Sequence, residues 1–270
     1  MLEQYRLRIE AEMEQMIASF GPKTQLRDAC EYALMSGGKR IRPTFVLMIA
    51  NALGRGLDAM SAALSVEFFH TASLIADDLP CMDNDDFRRE RPSLHRCFPE
   101  GIALLASYTL IAAGYEGIYK NGLGRPAQAT ILGLEIATRC AGIWGATNGQ
   151  FLDLFPPDKT LETAEKIIRQ KTVTLFQIAF VFGWLFGGGA VERLPEVEQA
   201  AAHLGLAFQL GDDIQDGNNM VAIVGEETAF AWFQREMCAF EVAMKKLSLW
   251  NEEFAGAAAL LQQLAATRSG

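Results

Sequence analysis

From Thr172 to Val191 the chain reads TVTLFQIAFVFGWLFGGGAV, without a single charged residue. A stretch of this kind has to be enclosed, by lipid or by the rest of the protein. Its length is about that of a membrane-spanning helix, roughly 20 residues. Gln177 and the glycines at 183 and 187 to 189 weaken that reading, and the segment stands alone. In a chain of which 50% is apolar, its expected place is the centre of a helical bundle, with no membrane span.

The same argument applies to Ala59 to Ala76, AMSAALSVEFFHTASLIA, where Glu67 and His70 are the few polar interruptions. Helical periodicity also runs through Leu2 to Ser19, Gln25 to Met35, Ile102 to Tyr119, Ala127 to Asn148, Leu161 to Phe186 and Leu194 to Gln215. It continues in two C-terminal stretches, Glu227 to Trp250 and Glu253 to Thr267. Breaks are expected at Gly21-Pro22, Pro43, Pro92, 122 to 126, Pro156-Pro157 and 217 to 219. No segment alternates like a hairpin strand, and neither glycine-rich phosphate loop is present. The expectation is an all-α fold, a single domain over residues 1 to 270, with the apolar helices central and the chain ends forming the amphipathic exterior.

A formal net charge of −9 and a pI of about 5.0 argue against nucleic acid as a partner, because phosphate backbones need a basic face. Five cysteines without CxxC spacing exclude a disulfide framework and a structural zinc site, so a reducing compartment is expected. The charged N-terminus, MLEQYRLRIEAEMEQ, lacks the apolar run of a signal peptide. Both readings lead to a cytoplasmic location.

Against this background, residues 77 to 92, DDLPCMDNDDFRRERP, crowd acid and base together. Asp77 and Asp78 fall at the C-terminal end of an apolar helix, where the helix dipole disfavours carboxylates. Pro80 ends the helix, and the loop after it can bring Asp83 back toward Asp77. An EF-hand does not fit, since DNDDFR lacks the glycine and the later glutamate that such a loop requires. A second cluster, Asp212-Asp213-Ile214-Gln215-Asp216, places Asp212 and Asp216 one helical turn apart, with Gln209 on the same face. Like charges at that spacing repel; a bound cation relieves them, as does a helix end emerging into water. Carboxylates without His or Cys form the ligand set of a hard cation such as magnesium. Arg88 and Arg89 can grip phosphate oxygens with forked donors. Lys39 and Arg42 flank a turn in GGKRIRP, and Lys171-Thr172 opens the uncharged helix. Each cation alone reads as a surface residue. Together with two acidic clusters they call for a substrate with diphosphate heads and hydrocarbon tails.

These stretches, taken together, resemble the motifs of the short-chain trans-isoprenyl diphosphate synthases, the farnesyl and geranylgeranyl diphosphate synthases. GGKRIRP is similar to their first motif and DDLPCMDNDDFRR to their first aspartate-rich motif. NGQFLDL, KTVTLF and FQLGDDIQD resemble three more, in the family's order and spacing across residues 30 to 216. The resemblance implies an isoprenoid synthase-like helical bundle with a central apolar cavity. It implies two or three Mg2+ ions, held by Asp77, Asp78 and Asp83 on one wall and by Asp212, Asp213 and Asp216 on the other. Arg88 and Lys171 would contact an allylic diphosphate (dimethylallyl, geranyl or farnesyl). Gly38, Lys39, Arg42, His70 and Arg89 would hold isopentenyl diphosphate. Thr172 and Gln209, with Lys171, would line the reacting centre. Without the resemblance, His70 reads as a satisfied core histidine.

By the same resemblance, residues before the first aspartate pair set product length. Ala72 and Ser73 are small, with Phe68 expected about one turn deeper, which favours a C20 geranylgeranyl product over C15 farnesyl. A homodimer is implied as well. The pattern breaks after Asp216: GNNMVAIVGEETAFAWF has no lysine or arginine where the family carries a lysine-bearing lid. That departure keeps open a weakly active or inactive regulatory, prenyl-binding subunit as the alternative. A terpene cyclase would carry a different second metal motif and would have no use for GGKRIRP.

Overall fold

A computed structural model describes residues 2–266, which are helical almost throughout. In chain order the helices are α1 (Leu2–Ala18), α2 (Gln25–Leu34), α3 (Ile41–Ala52), α4 (Met60–Asp77), α5 (Leu94–Cys97), α6 (Glu100–Gly122) and α7 (Ala127–Ala141). They continue as α8 (Ala146–Leu154), α9 (Leu161–Ile168), α10 (Thr174–Phe186), α11 (Leu194–Asp216), α12 (Met220–Val224), α13 (Glu226–Lys246) and α14 (Glu252–Ala266). A short antiparallel ribbon, β1 (Phe87–Arg88) and β2 (Arg91–Pro92), follows α4. The expected last helix is present, although its expected final residue, Thr267, lies outside the described residues.

The uncharged segment occupies the centre. Every residue of α10 except Gln177 is buried, and the helix packs against α3, α4, α7 and α11. Phe176, Phe180, Phe182 and Phe186 are fully enclosed, and Phe180 meets Phe45 of α3 and Phe240 of α13 at 5.5 and 6.0 Å between ring centroids. The helix α4, apolar nearly all round, lies between α3, α6 and α10. The outer helices have one-sided apolar faces, such as Ile9, Met13 and Ile17 on α1. Among the described residues, α6 is the one helix long and apolar enough to cross a membrane; here it packs along α4 and α7.

Three local departures from the expected pattern have physical causes. Residues 41 to 52 form a helix despite Pro43, because that proline sits in the first turn, where backbone N–H groups lack intrahelical partners anyway. The expected helix from 127 to 148 is divided, because the chain turns at Gly142 and Gly145; at Gly145 any side chain would overlap the Cys140 carbonyl. Between α9 and α10, residues Arg169–Val173 form one π-helical turn. Such turns insert an extra residue into a helix and frequently occur at functional sites.

Helices α3 and α10 approach closely at Gly183. A Cβ built there would lie 2.7 Å from the Val46 carbonyl oxygen and 2.8 Å from Ile49 Cβ. Gly183→Ala therefore has to separate the two central helices. We expect it to lower the melting temperature by roughly 3–10 °C, the cost of overpacking a core of this size. Calorimetry showing an unchanged transition would refute that account of the crossing.

Candidate active site

Asp77 is the last residue of α4, and Asp78 caps it. The chain then doubles back, with the Asp83 N–H donating to the Asp77 carbonyl at 2.9 Å. The β1–β2 ribbon turns through Arg89 and Glu90, both at positive φ (53° and 62°), a conformation that costs non-glycine residues energy and persists where the surroundings enforce it. The turn sends the two arginines in different directions. Arg88 returns to Asp78, its Nε 3.0 Å from Oδ1, and also pairs with Asp85 at 3.2 Å. Arg89 crosses to the other side and donates to the Gly37 carbonyl. Its guanidinium occupies the space that a side chain on Gly38 (φ +125°) would take, so position 38 has to be glycine.

The second cluster lies on the last turns of α11. Asp212 and Asp216 share a face, with Asp216 exposed. Asp213, 1% exposed, turns away from them. It accepts hydrogen bonds from Gln209 Nε2 (2.9 Å), Asn219 Nδ2 (3.2 Å) and the Met220 backbone N–H (3.3 Å). With Gly217 in the left-handed region capping α11, Asp213 secures the lysine-free loop to the helix it leaves.

The π turn connects the two clusters. Thr172 Oγ1 donates to Gln209 Oε1 at 2.9 Å, and Gln209 in turn holds Asp213. Lys171 pairs with Asp153 of α8 at 2.6 Å, and its charge also acts on Asp77 and Asp83. Helix α8 presses against the turn: Asn148 Nδ2 donates to Gln170 Oε1 at 2.7 Å, and a Cβ on Gly149 would come within 2.3 Å of the Lys171 nitrogen. Gln150 Nε2 reaches Asp83 Oδ1 at 3.5 Å. The NGQFLDL stretch thus serves as the support on which Lys171 and Thr172 rest.

Beside α11 opens a cavity of about 640 Å³, lined by Lys39, Arg40, Arg42, His70 and Arg89 together with Arg6 of α1. Desolvation pushes Arg42 down to about 10 and Arg89 below its ordinary value. His70 is held well below 6.5 by burial and by the surrounding arginines, so it is a neutral ring at physiological pH. Arg42 Nη1 lies 3.4 Å from His70 Nε2, and its guanidinium lies 4.7 Å from the Phe176 ring centroid. Glu67 and Glu90 also line it, and Arg6 and Arg40 are already paired with Glu10 and Glu67, which leaves Lys39, Arg42 and Arg89, none of them ion-paired among the described residues, to face an anion.

Burial also raises Asp77 and Asp212, each to about 6. Opposing that rise are the through-space charges of Lys171 and Arg88 at Asp77, and of Lys39 and Arg42 at Asp212. Two desolvated carboxylates without side-chain hydrogen-bond donors among the described residues suit a hard divalent cation. Among the described residues, no three His, Cys, Asp or Glu groups converge tightly enough to hold a metal by themselves.

The residues anticipated from sequence thus fall into connected groups: Asp77, Asp83 and Lys171; Asp212 and Asp216; Thr172 and Gln209; and the Gly38, Lys39, Arg42, His70, Arg89 pocket. Two differ in their surroundings from the expectation. Asp78 and Asp213 have their oxygens engaged by Arg88 and by the loop after α11, so they orient neighbours rather than face the opening. Along α4, Ala72 is buried and its carbonyl accepts from Ser107 Oγ of α6 at 2.9 Å. Ser73 is partly exposed. Phe68, one turn before Ala72 and on the same face of α4, is fully buried and packs against Phe20, 5.7 Å between centroids. Phe69 takes the α6 side, packed on Tyr115 at 5.2 Å. Sequence reading missed Arg6, Arg40, Glu67 and Asp153. The isolated Glu67 in an apolar helix was the available signal for two of them, since a buried carboxylate requires a cation.

The fold and these motifs have counterparts in known proteins. A geranyltransferase structure from Legionella pneumophila superposes with a TM-score of 0.88 at 28% identity, covering 100% of this chain and 97% of that one. A geranyltranstransferase from Thermotoga maritima gives 0.85, also at 28% identity, with 99% of each chain covered. The bundle is therefore of the isoprenoid synthase type. The Polyprenyl synthetase family model matches residues 23–228, and the chain belongs to that family. Among curated relatives it is 40% identical to geranylgeranyl pyrophosphate synthase 3 of Arabidopsis thaliana, a chloroplastic protein, over 71% of this chain and 55% of the relative. It is 37% identical to the farnesyl diphosphate synthase of Geobacillus stearothermophilus over 80% of this chain and 74% of that protein. The chain thus spans little more than half the length of the chloroplastic relative.

The raised aspartates have a measurable consequence. A carboxyl whose folded pKa lies above its ordinary 3.8 favours the folded state while protonated, and this contribution disappears as pH rises through about 6. In chelator at pH 7.5, Asp77→Asn and Asp212→Asn should each melt higher than wild type, by about 2–4 °C per kcal/mol relieved. Magnesium should then raise the wild-type melting point more than that of either variant, increasingly as pH climbs past about 6. Variants that melt lower than wild type in chelator would contradict the desolvation argument.

Proposed function

We propose that the chain is a short-chain isoprenyl diphosphate synthase, joining isopentenyl diphosphate to an allylic diphosphate. The observation that carries this is the π turn. Through it a cation (Lys171) faces one acidic cluster while a hydroxyl–amide pair (Thr172, Gln209) adjoins the other, beside a separate cationic pocket. One acidic site would serve a single phosphorylated substrate; two acidic walls with a second anion pocket accommodate two.

In this reading Asp77 and Asp83 on one side, and Asp212 with Asp216 on the other, would hold two or three magnesium ions, which would supply positive charge to a leaving diphosphate. Lys171, and Arg88 oriented by Asp78, place hydrogen-bond donors on the same oxygens. The allylic C–O bond breaks, and diphosphate departs with the electron pair. Thr172 and Gln209 present oxygen dipoles beside the positive carbon that results. Lys39, Arg42, His70 and Arg89 hold isopentenyl diphosphate so that its double bond adds to that carbon, and the proton lost afterwards goes to the departed diphosphate. The buried surroundings exclude water that would otherwise trap the cation.

The small side chain of Ala72 is what favours C20 over C15 in this reading. Purified protein given magnesium, isopentenyl diphosphate and farnesyl diphosphate should yield geranylgeranyl diphosphate, and Ala72→Tyr should shift the main product to C15. Failure to elongate any of the three allylic primers would overturn the enzymatic reading in favour of a binding subunit.

The same proposal includes a homodimer, because α6 and α7 present an apolar outer face. Tyr108 is 59% and Ile131 63% exposed, with Leu104, Leu105 and Leu134 nearby. Tyr108→Asp combined with Ile131→Asp should halve the mass seen by light scattering; a wild-type monomer would exclude the dimer.

A further inference from the structure

A buried carboxylate lines the cationic pocket. Glu67, in the middle of α4, is 2% exposed and shares that wall with Lys39, Arg42, His70 and Arg89. A negative charge there opposes the binding of any anion unless something cancels it. Arg40 does so. Its side chain is 0% exposed, its Nη1 lies 2.5 Å from Glu67 Oε1, and its Nη2 donates to the Leu34 carbonyl at 2.5 Å. Its Nε lies 3.6 Å from Glu10 of α1, which pairs in turn with Arg6 at 2.9 Å. One guanidinium therefore joins the end of α2, the middle of α4 and the face of α1, while its own backbone, in the left-handed region at φ 49°, starts α3.

That conformation keeps Arg40 pointing inward while Lys39 on one side and Arg42 on the other are left to the cavity. Arg42 has no carboxylate within ion-pair distance among the described residues, and its Nε and His70 Nδ1 are buried without hydrogen-bond partners. Glu67 nevertheless acts on both Arg42 and Arg89 through space. If Arg40 were absent, Glu67 would be a buried unpaired charge with two cations nearby, and pairing with either would remove it from the pocket's anion-binding set.

We propose that Arg40 is a positioning residue of the diphosphate pocket: by occupying Glu67 it keeps Arg42 and Arg89 free to bind the diphosphate of the non-allylic substrate. This rests on the synthase reading for the identity of the substrate, although the pocket's affinity for an anion can be measured without it. Replacing a buried ion pair as a unit is often tolerated, whereas removing one partner is strongly unfavourable. The pair thus predicts a specific pattern of loss and rescue.

The experiment is calorimetric titration of inorganic pyrophosphate in chelator, where neither metal nor turnover contributes. Relative to wild type, Arg40→Met should weaken binding about tenfold or more. Glu67→Gln should bind at least as tightly as wild type, since it removes a negative charge from the wall. The double variant Arg40→Met/Glu67→Gln should recover most of the loss. Arg40→Lys, whose ammonium cannot span both Glu67 and the Leu34 carbonyl, should show a smaller loss that Glu67→Gln also relieves, and it serves if Arg40→Met does not fold. In turnover, the Arg40 variants should raise KM for isopentenyl diphosphate and leave the allylic KM near wild type. A double variant as weak as the Arg40 single, or a Glu67→Gln that binds less tightly than wild type, would reduce Arg40 to a structural residue and overturn the proposal. Pyrophosphate that does not bind the wild type at all would overturn it too. Normal pyrophosphate binding and rescue without prenyl transfer would sink the synthase reading and leave the Arg40 role standing.

Discussion

A helix that is apolar on every side can lie only where other helices surround it, and α10 and α4 impose that condition on the whole bundle. Once they are central, any polar group they carry has to find a partner inside the protein, because an unpaired buried polar atom costs roughly 1–3 kcal/mol and a charge more. Glu67 finds Arg40, Thr172 finds Gln209, and Lys171 finds Asp153. Asp77 and Asp212 find no comparable hydrogen-bonded partner among the described residues, and burial pushes both up to about 6. The candidate site is the part of the core where enclosure has been imposed on charge.

Seen this way, the site is a stability deficit held within a stable bundle. Carboxylates at the ends of α4 and α11, an arginine pocket with an unprotonated histidine, and a π turn all disfavour the isolated chain locally. A polyanion with its divalent cations relieves several of these at once: cations for the aspartates, phosphate oxygens for the arginines and Lys171. Residues that already have partners serve as fixed supports. Arg40 holds the GGKRIRP turn, Asp213 holds the loop after α11, and Asn148 and Asp153 hold the π turn.

Much of this was legible along the chain, for identifiable reasons. Long apolar runs carry their own periodicity, so α4 and α10 and the amphipathic α1 and α13 could be located directly. Asp77, Asp83, Asp212 and Lys171 stood out because charges next to apolar helices are conspicuous. The reading failed where the signal was not local. Pro43 looked like a break, and only its place in the first turn of α3 makes it harmless. Arg40 was hidden between Lys39 and Arg42, and its role depends on a carboxylate in the next helix but one.

The amino-acid sequence by itself determined that this chain would be helical, which helices would be central, and that two acidic clusters would accompany scattered cations. Those properties depend on residue spacing of three or four, which is a one-dimensional quantity. The tertiary structure alone decided which of the charges are spent on each other and which are left for a ligand. Asp78 is given to Arg88 and Glu67 to Arg40, while Asp77, Asp212 and Arg42 have no ion pair among the described residues. Pairing depends on distances of a few ångströms between residues far apart in the chain, and only the packing of the helices sets those distances.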